Sequence, residues 1–311
     1  MHFIWLGASL PWHAAIAAMT AARRGGLHRV TLHHDGDLAG DAFAAVEAAG
    51  IETRRIDPLG LCEAAAGPRL ADVYRLLDGK PAARSDVLRA AILLRDGGVY
   101  LDCDTITVRP LLPLCAAEAF AGEERIVFPP EVMRSRRPDV LLGAAVRHAV
   151  RDVLRRVPGG WRAFRRIEGA YHLAVNNAIL AASPGHPLIA RLVAHIVGLP
   201  RAAHVRPYAL GPHALAAAIA GGPAAGLVVH PPAVFYPLGP EIAEHWVRPA
   251  PGPHALRLLL PETRVVHWYA STRTRRRVRT WTLADLPALA RSQPLAWLAW
   301  RALAPDEWEP A

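Results

Sequence analysis

Lysine is almost missing from this chain. Of 36 basic residues in 311, only Lys80 is a lysine. Chemistry that needs several lysines, such as a later catalytic lysine beyond a phosphate-binding motif, is therefore excluded over most of the sequence. Cysteine is scarce too: Cys62, Cys103 and Cys115 are an odd number with no CxxC spacing, which argues against a disulfide framework and a cysteine-held zinc site. A reducing cytoplasm is the natural home for such a chain. No run approaches the ~18 uninterrupted apolar residues of a membrane-crossing helix. The apolar start, Met1 to Gly7, lacks the basic leader of a signal peptide, since Arg23 and Arg24 follow it. What remains is a hydrophobic content of 52%, a charged content of 20% and a formal charge of +9. That describes a globular chain long enough for one large domain, with a basic balance suited to nucleotide diphosphates, anionic lipid or nucleic acid. An arginine preference also arises in GC-rich genomes, so the charge by itself names no partner.

The first third alternates. Short apolar runs at Phe3–Leu6, Arg29–Leu32 and Ile51–Ile56 predict strands, and 11–24 and 41–49 predict helices between them. This βαβα order predicts a mostly parallel sheet with helices on its faces, whose ligands sit at the carboxyl ends of the strands. Later expectations are strands at 125–128, 228–230, 234–236 and 265–269 and helices at 146–157, 176–182 and 188–197. Arginines at 147, 151, 155 and 156 read as a solvated helix stripe. The tail, 283–303, reads as an amphipathic helix that packs on its own domain or lies on a membrane.

The most informative stretch is 84–106. Ser85 suits a helix N-cap and Asp86 the first turn. Val87, Leu88, Ala91 and Leu94 make an apolar face, and Gly97 and Gly98 stop the helix by adopting positive φ. Val99, Tyr100 and Leu101 then form a strand that delivers Asp102 and Asp104. If the chain turns there, two carboxylates two residues apart converge on one cation, and a hard divalent ion takes such oxygens together with substrate phosphates.

Asp86, Arg89, Gly97, Gly98, Tyr100, Asp102 and Asp104 together resemble the sugar-binding DXD glycosyltransferases. These are the family-32-type enzymes of polysaccharide synthesis and, more distantly, the glucosylating clostridial toxin domains. Echoes run the length of the chain: Ile4 to Gly7, Asn176 to Ile179 with His186-Pro187, Gly211-Pro212, Phe235 to Pro237, and Val266 to Trp268. The resemblance implies a single α/β domain of the GT-A type. Residues 1–110 would bind the nucleotide sugar, 111–282 the acceptor, and 283–311 would form a helical tail. It implies transfer of a sugar from a nucleoside-diphosphate sugar to a glycan or lipid-linked acceptor hydroxyl, with Mn²⁺ or Mg²⁺, with retention of configuration, and without nucleic acid as a partner.

By resemblance, Asp104 is the more direct metal ligand, and Asp102 contacts ribose and sugar or the metal through water. His267 joins them as a metal or phosphate ligand, and Asp86 and Arg89 grip donor hydroxyls. Trp5, with the backbone near Ile4, contacts the base. Asn176 and Asn177 open a helix facing the donor sugar, Asn177 with the better spacing, and Tyr100 lines the same site. The family's closing Ser-Trp pair is replaced here by Ser271 followed by Thr272 and arginines. Arg273, Arg275 or Arg276 can then neutralise diphosphate; the cluster reads also as a patch for anionic lipid or, least of the three because no nucleic-acid motif accompanies it, as a nucleic-acid contact. The cytoplasm, extending to the inner membrane face, is the expected location.

Two other readings stand beside this one. A haloacid-dehalogenase-type phosphatase also uses Asp-x-Asp after a strand, but wants Thr or Val where Ile106 stands and a later lysine. A non-catalytic module that binds sugar nucleotides would keep the same residues.

Overall fold

The alternation of the first third becomes half of a seven-stranded sheet in the computed structural model, which describes residues 1–223, 225–270 and 274–305. In chain order the strands are β1 (His2–Trp5), β2 (Thr31–His34), β3 (Glu52–Arg55), β4 (Gly98–Leu101), β5 (Thr105–Thr107), β6 (Ala119–Ile126), β7 (His172–Ala182), β8 (Leu227–His230) and β9 (Val265–His267). The large sheet has the order β3-β2-β1-β4-β7-β6-β8, and β5 pairs with β9 apart from it. The pairings β1 with β2, β2 with β3, β1 with β4 and β6 with β8 are parallel. Within the large sheet β7 alone, among the described residues, runs against its neighbours, β4 and β6, and the separate β5–β9 pair is antiparallel. The α/β class and mostly parallel sheet are as expected.

Both sheet faces are covered. Along β4, Tyr100 joins the core built on Val87, Leu88, Ala91 and Ile92 of the Pro81–Asp96 helix. Val99 and Leu101 point the other way, to Ala14, Ala17 and Ala18 of the Trp12–Arg24 helix. Period-two alternation in a strand buried on both sides produces this split. A third core gathers Trp246, Trp268, Ile106 and Leu298. It is filled by the tail, which breaks into Leu286–Leu289 and Pro294–Leu303. Leu295, Ala296, Leu298 and Ala299 are fully buried, and Arg24 donates to the carbonyls of Ala302 and Arg301 at 2.9 and 3.1 Å. The tail's apolar face is thus spent on the protein's own core, which is the first of the two alternatives.

Four expectations are corrected. The helix before β4 starts at Pro81, so Ser85 is not its cap and Asp86 lies in the second turn. Pro at the first helical position is pre-set for that start. Residues 176–182 are not helical but part of β7, because β4 and β6 flank them on both sides. Residues 234–236 are not a strand: Pro232 initiates a short helix through Phe235. The arginine stripe is not solvated along its length, since Arg151 is buried against Glu241 and Arg155 reaches Glu244 at 2.8 Å.

The junction before β4 depends on Gly97. Its φ is +65°, and a Cβ there would lie 2.5 Å from Pro184 Cδ and 2.9 Å from the Ala182 carbonyl oxygen. Only glycine lets the helix end and β4 begin beside β7.

Candidate active site

β1 and β4 are parallel neighbours, so Trp5 and Asp102 emerge at the same sheet edge. The antiparallel β7 brings its Asn177 to that edge, where the Asp102 amide donates to the Ala178 carbonyl at 2.9 Å. After Leu101 the chain leaves the large sheet, and the Thr105 hydroxyl donates to the Asp102 carbonyl at 2.8 Å. β5 then pairs with β9, placing Thr105 opposite His267. This turn is what makes Asp102 and Asp104 converge.

His267 Nε2 lies 3.0 Å from Asp104 Oδ1 and 4.0 Å from Asp102 Oδ2. One ligand atom from each of Asp102, Asp104 and His267 falls within 4.8 Å of the others. The second Asp104 oxygen accepts from the Ala270 amide at 2.6 Å. That amide is aimed by Tyr269, whose φ of +59° is unusual for a residue with a side chain. Tyr269 is tied down by donating to Glu124 at 2.7 Å and by ring contact with His267 at 4.1 Å.

Beside this triad lies a clamp. Arg89 donates to Asp102 Oδ1 at 2.7 Å, to the Asn177 carbonyl at 2.5 Å and to the Tyr100 hydroxyl at 3.3 Å. It also pairs with Asp86 at 3.3 Å and covers the Tyr100 ring at 4.1 Å. Tyr100 in turn donates to Asp102 Oδ1 at 2.8 Å. With Oδ1 held twice, Asp102 Oδ2 looks toward His267. On the clamp's other side Asn177 Nδ2 donates to Asp86 Oδ1 at 2.8 Å. Gly211 leaves this end open: a Cβ there would stand 2.8 Å from Asp86 Oδ2 and 3.0 Å from Asn177 Nδ2.

The charges are tuned apart. Burial pushes the Asp86 carboxyl up to about 6, although Arg89 and Asn177 pull it down. Burial also raises Asp102 against the pull of Arg89. Burial acts on Asp104 in the same sense, but the His267 charge and hydrogen bond, helped by the Ala270 amide, hold it below the usual range. His267 is raised, because Asp104 and Asp102 outweigh its burial. Burial raises Glu124 too, with Tyr269 and Asn176 hydrogen-bonding to it. Two carboxylates and an imidazole whose ligand atoms lie this close are a donor set that suits Mn²⁺ or Mg²⁺ once the His267 Nε2 proton is displaced, the nitrogen favouring Mn²⁺.

Asp86, Arg89, Tyr100, Asp102, Asp104, Asn177 and His267 are therefore together. Asn176 is one step away: its side-chain oxygen accepts from the Ala178 amide at 2.7 Å. Trp5 is half-buried at the end of β1, its indole N–H donating to the Ser9 carbonyl at 2.8 Å. Ile4 is buried, and its carbonyl accepts from the Cys103 thiol at 3.3 Å. Ser271 and Arg273 lie outside the described residues. Arg275 and Arg276 are exposed on the Arg275–Val278 helix; burial depresses His13, against the pull of Asp104, and Arg275 adds to the depression. Sequence reasoning missed Glu124 and Tyr269. Nothing in Gly122-Glu123-Glu124 marks one glutamate as the buried one. The positive φ of Tyr269 has no signature in a residue type that rarely adopts it.

No curated protein matches the chain at a significant level. Among solved structures the chain is similar to the PaToxG glycosyltransferase, at 14% identity over 71% of this chain and 68% of that one, with a TM-score of 0.48. It is also similar to the UDP-bound glycosyltransferase domain from the YGT toxin, at 11% identity over 74% and 78%, with a TM-score of 0.43. Residues 63–121 match the family described as the glycosyltransferase sugar-binding region containing the DXD motif. The match runs from the helices that precede β4 to the start of β6, and over that segment the chain is similar to the sugar-binding region of the DXD glycosyltransferases.

Proposed function

We propose that this protein is a retaining, metal-dependent hexosyltransferase that moves a sugar from a nucleoside diphosphate to an acceptor hydroxyl. The observation that carries the reading is the meeting of Asp102, Asp104 and His267 beside the Asp86–Asn177 bed. Asp102, Asp104 and His267 would hold a divalent cation, which would supply charge neutralisation for the leaving nucleoside diphosphate. The protein's own residues do the rest. Asp86 accepts from donor sugar hydroxyls, and Asn177 supports it. Arg89 holds Asp86 and Asp102 at a fixed separation. Trp5 offers an aromatic face to the base at the end of β1, and Arg275 adds positive charge at the rim. In a same-face displacement the bond from anomeric carbon to phosphate oxygen breaks as the acceptor oxygen bonds to that carbon. The acceptor proton passes to the departing phosphate oxygen.

Residues 1–110 serve the donor in this reading, and 111–282 border the acceptor, a glycan or lipid-linked precursor of a polysaccharide. The cytoplasm, at or near the inner membrane face, is where nucleotide sugars meet such acceptors.

The test is a melting-temperature screen with Mn²⁺ against UDP-, GDP- and CMP-sugars, followed by release of nucleoside diphosphate from the sugar that binds. One donor should raise the melting temperature, since a ligand that binds only the folded state stabilises it. Asp104→Asn should keep the fold but lower metal-dependent release by ~100-fold or more, the scale of losing one charge-stabilising group at a reacting centre. Release at the wild-type rate by Asp104→Asn under matched metal overturns the reading.

A further inference from the structure

The polypeptide between β6 and β7 builds three helices, Pro130–Arg134, Pro138–Leu154 and Gly160–Ile167. The long middle one is inside out. A helix on a folded protein turns its apolar stripe to the core and its charges to water. Here the inward side carries Ala144 and Arg151, the arginine 9% exposed and ion-paired with the buried Glu241. The opposite side presents Leu142, Val146 and Val153, exposed by 67%, 54% and 59%. Spacings of four and seven put these three on one line with the exposed Ala149. Met133 and Leu141, 71% and 46% exposed, extend the apolar surface.

The rim of this surface is strongly basic. Residues 130–170 contain ten arginines against four acidic residues; Arg151 and Arg155 are taken up by Glu241 and Glu244 beyond the segment, which leaves a surplus of four positive charges. Arg134, Arg136, Arg137, Arg162 and Arg166 are exposed. The acidic Asp152 is engaged by Arg155 and Arg156, and of the exposed arginines Arg137 is paired with Asp139 at 2.7 Å.

We propose that the outer face of the Pro138–Leu154 helix docks flat on an anionic lipid bilayer. An exposed apolar line on a helix, flanked by arginines, is the pattern of helices that lie in the lipid interface. There the side chains enter the acyl boundary and the cations meet the headgroups. A protein partner would need acidic residues around an apolar groove to match this rim, whereas an anionic bilayer presents both chemistries everywhere. The surface also runs toward the sugar end of the cleft. Burial lowers His213, with Arg134 adding to this and Glu131 opposing it, and His213 stands two residues after Gly211, where a Cβ would crowd Asp86 and Asn177. Docking would hold the open end of the cleft near the membrane. That consequence rests on the transferase reading, but the docking does not.

The experiment is co-sedimentation of the full chain with vesicles of phosphatidylcholine alone or mixed with phosphatidylglycerol. The wild type should bind the mixed vesicles, bind phosphatidylcholine poorly, and be released by salt. The triple variant Leu142→Asp, Val146→Asp, Val153→Asp should bind the mixed vesicles at least ~10-fold more weakly, since it removes the inserting side chains and adds repulsion. Its melting temperature and its donor-induced shift should match those of the wild type, because these side chains face water. A second triple variant, Arg134→Ser, Arg136→Ser, Arg137→Ser, should weaken binding only to the anionic vesicles. The proposal is overturned if the wild type ignores anionic vesicles or if the aspartate variant binds them equally well. It is equally overturned if the wild type is a dimer that the aspartate variant dissolves, since a second copy would then cover the face.

Discussion

Replacing Arg89 by methionine should destabilise the protein strongly at neutral pH and much less in mild acid. Arg89 is 4% exposed and stands between Asp86 and Asp102, 3.3 and 2.7 Å away. Methionine fills similar space but leaves two buried carboxylates facing each other with no counterion. Breaking a buried pair from one side costs about 3–5 kcal/mol. In a chain this long each kcal/mol lowers the melting temperature by about 2–4 °C, so a fall of roughly 6–20 °C is expected. The pH dependence follows from the direction of the carboxyl shifts. Both carboxyls are already raised by burial, Asp86 to about 6, with Arg89 opposing the rise. Without Arg89 they rise further above their unfolded values. The folded state then binds more protons than the unfolded one, and stability falls as pH rises through the folded pKa values. The gap between variant and wild type should therefore be widest near about pH 8 and narrow toward about pH 5, where the carboxyls protonate and stop repelling. Asp102→Asn in the same background should recover part of the loss at about pH 8. Urea titrations at the two pH values measure it. A gap under about 1 kcal/mol, or one of equal size at both pH values, would refute the idea that Arg89 acts as the shared counterion.

Two further outcomes are expected. Gly211→Ala should raise the KM for the sugar nucleotide severalfold while leaving Mn²⁺ affinity alone, because the new methyl crowds Asp86 and Asn177 rather than the Asp104 corner; unchanged donor KM would show that the sugar does not lie there. Donor KM should also rise about tenfold between about pH 7.5 and pH 5, as Asp86 protonates below about 6 and stops accepting hydroxyl hydrogens. The same raised pKa stabilises the fold below the unfolded value near ~4, and that stabilisation fades as pH rises through about 6; the buried His2 and His13, depressed by burial to about 4, cost stability as pH falls below ~6.5, so a melting temperature taken at each pH separates lost binding from lost folding. A flat profile in wild type, or the same slope in Asp86→Asn, contradicts the assignment.

The local grammar of residues 81–104 needed no partner to be read. A helix of period 3.6, two glycines at positive φ, a strand of period two and two acids all follow from spacings within one short window. That window also holds the clamp residues Asp86, Arg89 and Tyr100, so half of the site was legible there. The other half was not. His267 meets Asp104 across 163 positions, and Glu124 meets Tyr269 across 145. No local pattern encodes such meetings, because they exist only once β5 pairs with β9 and β6 packs alongside β7. The segment 176–182 shows the same limit from the other side. Its alanines and leucine allow a helix, but vacant backbone hydrogen bonds on β4 and β6 recruit it as the strand between them, and that placement turns Asn177 toward Asp86. In the Pro138–Leu154 helix, helicity is written in the residues, but which face meets water is set by Glu241, 90 positions later, which pairs with Arg151 and turns Leu142 and Val153 outward. Short-range spacing dictates what each segment forms, whereas burial and long-range pairing choose which neighbour it faces, and the chemistry of this site depends on both.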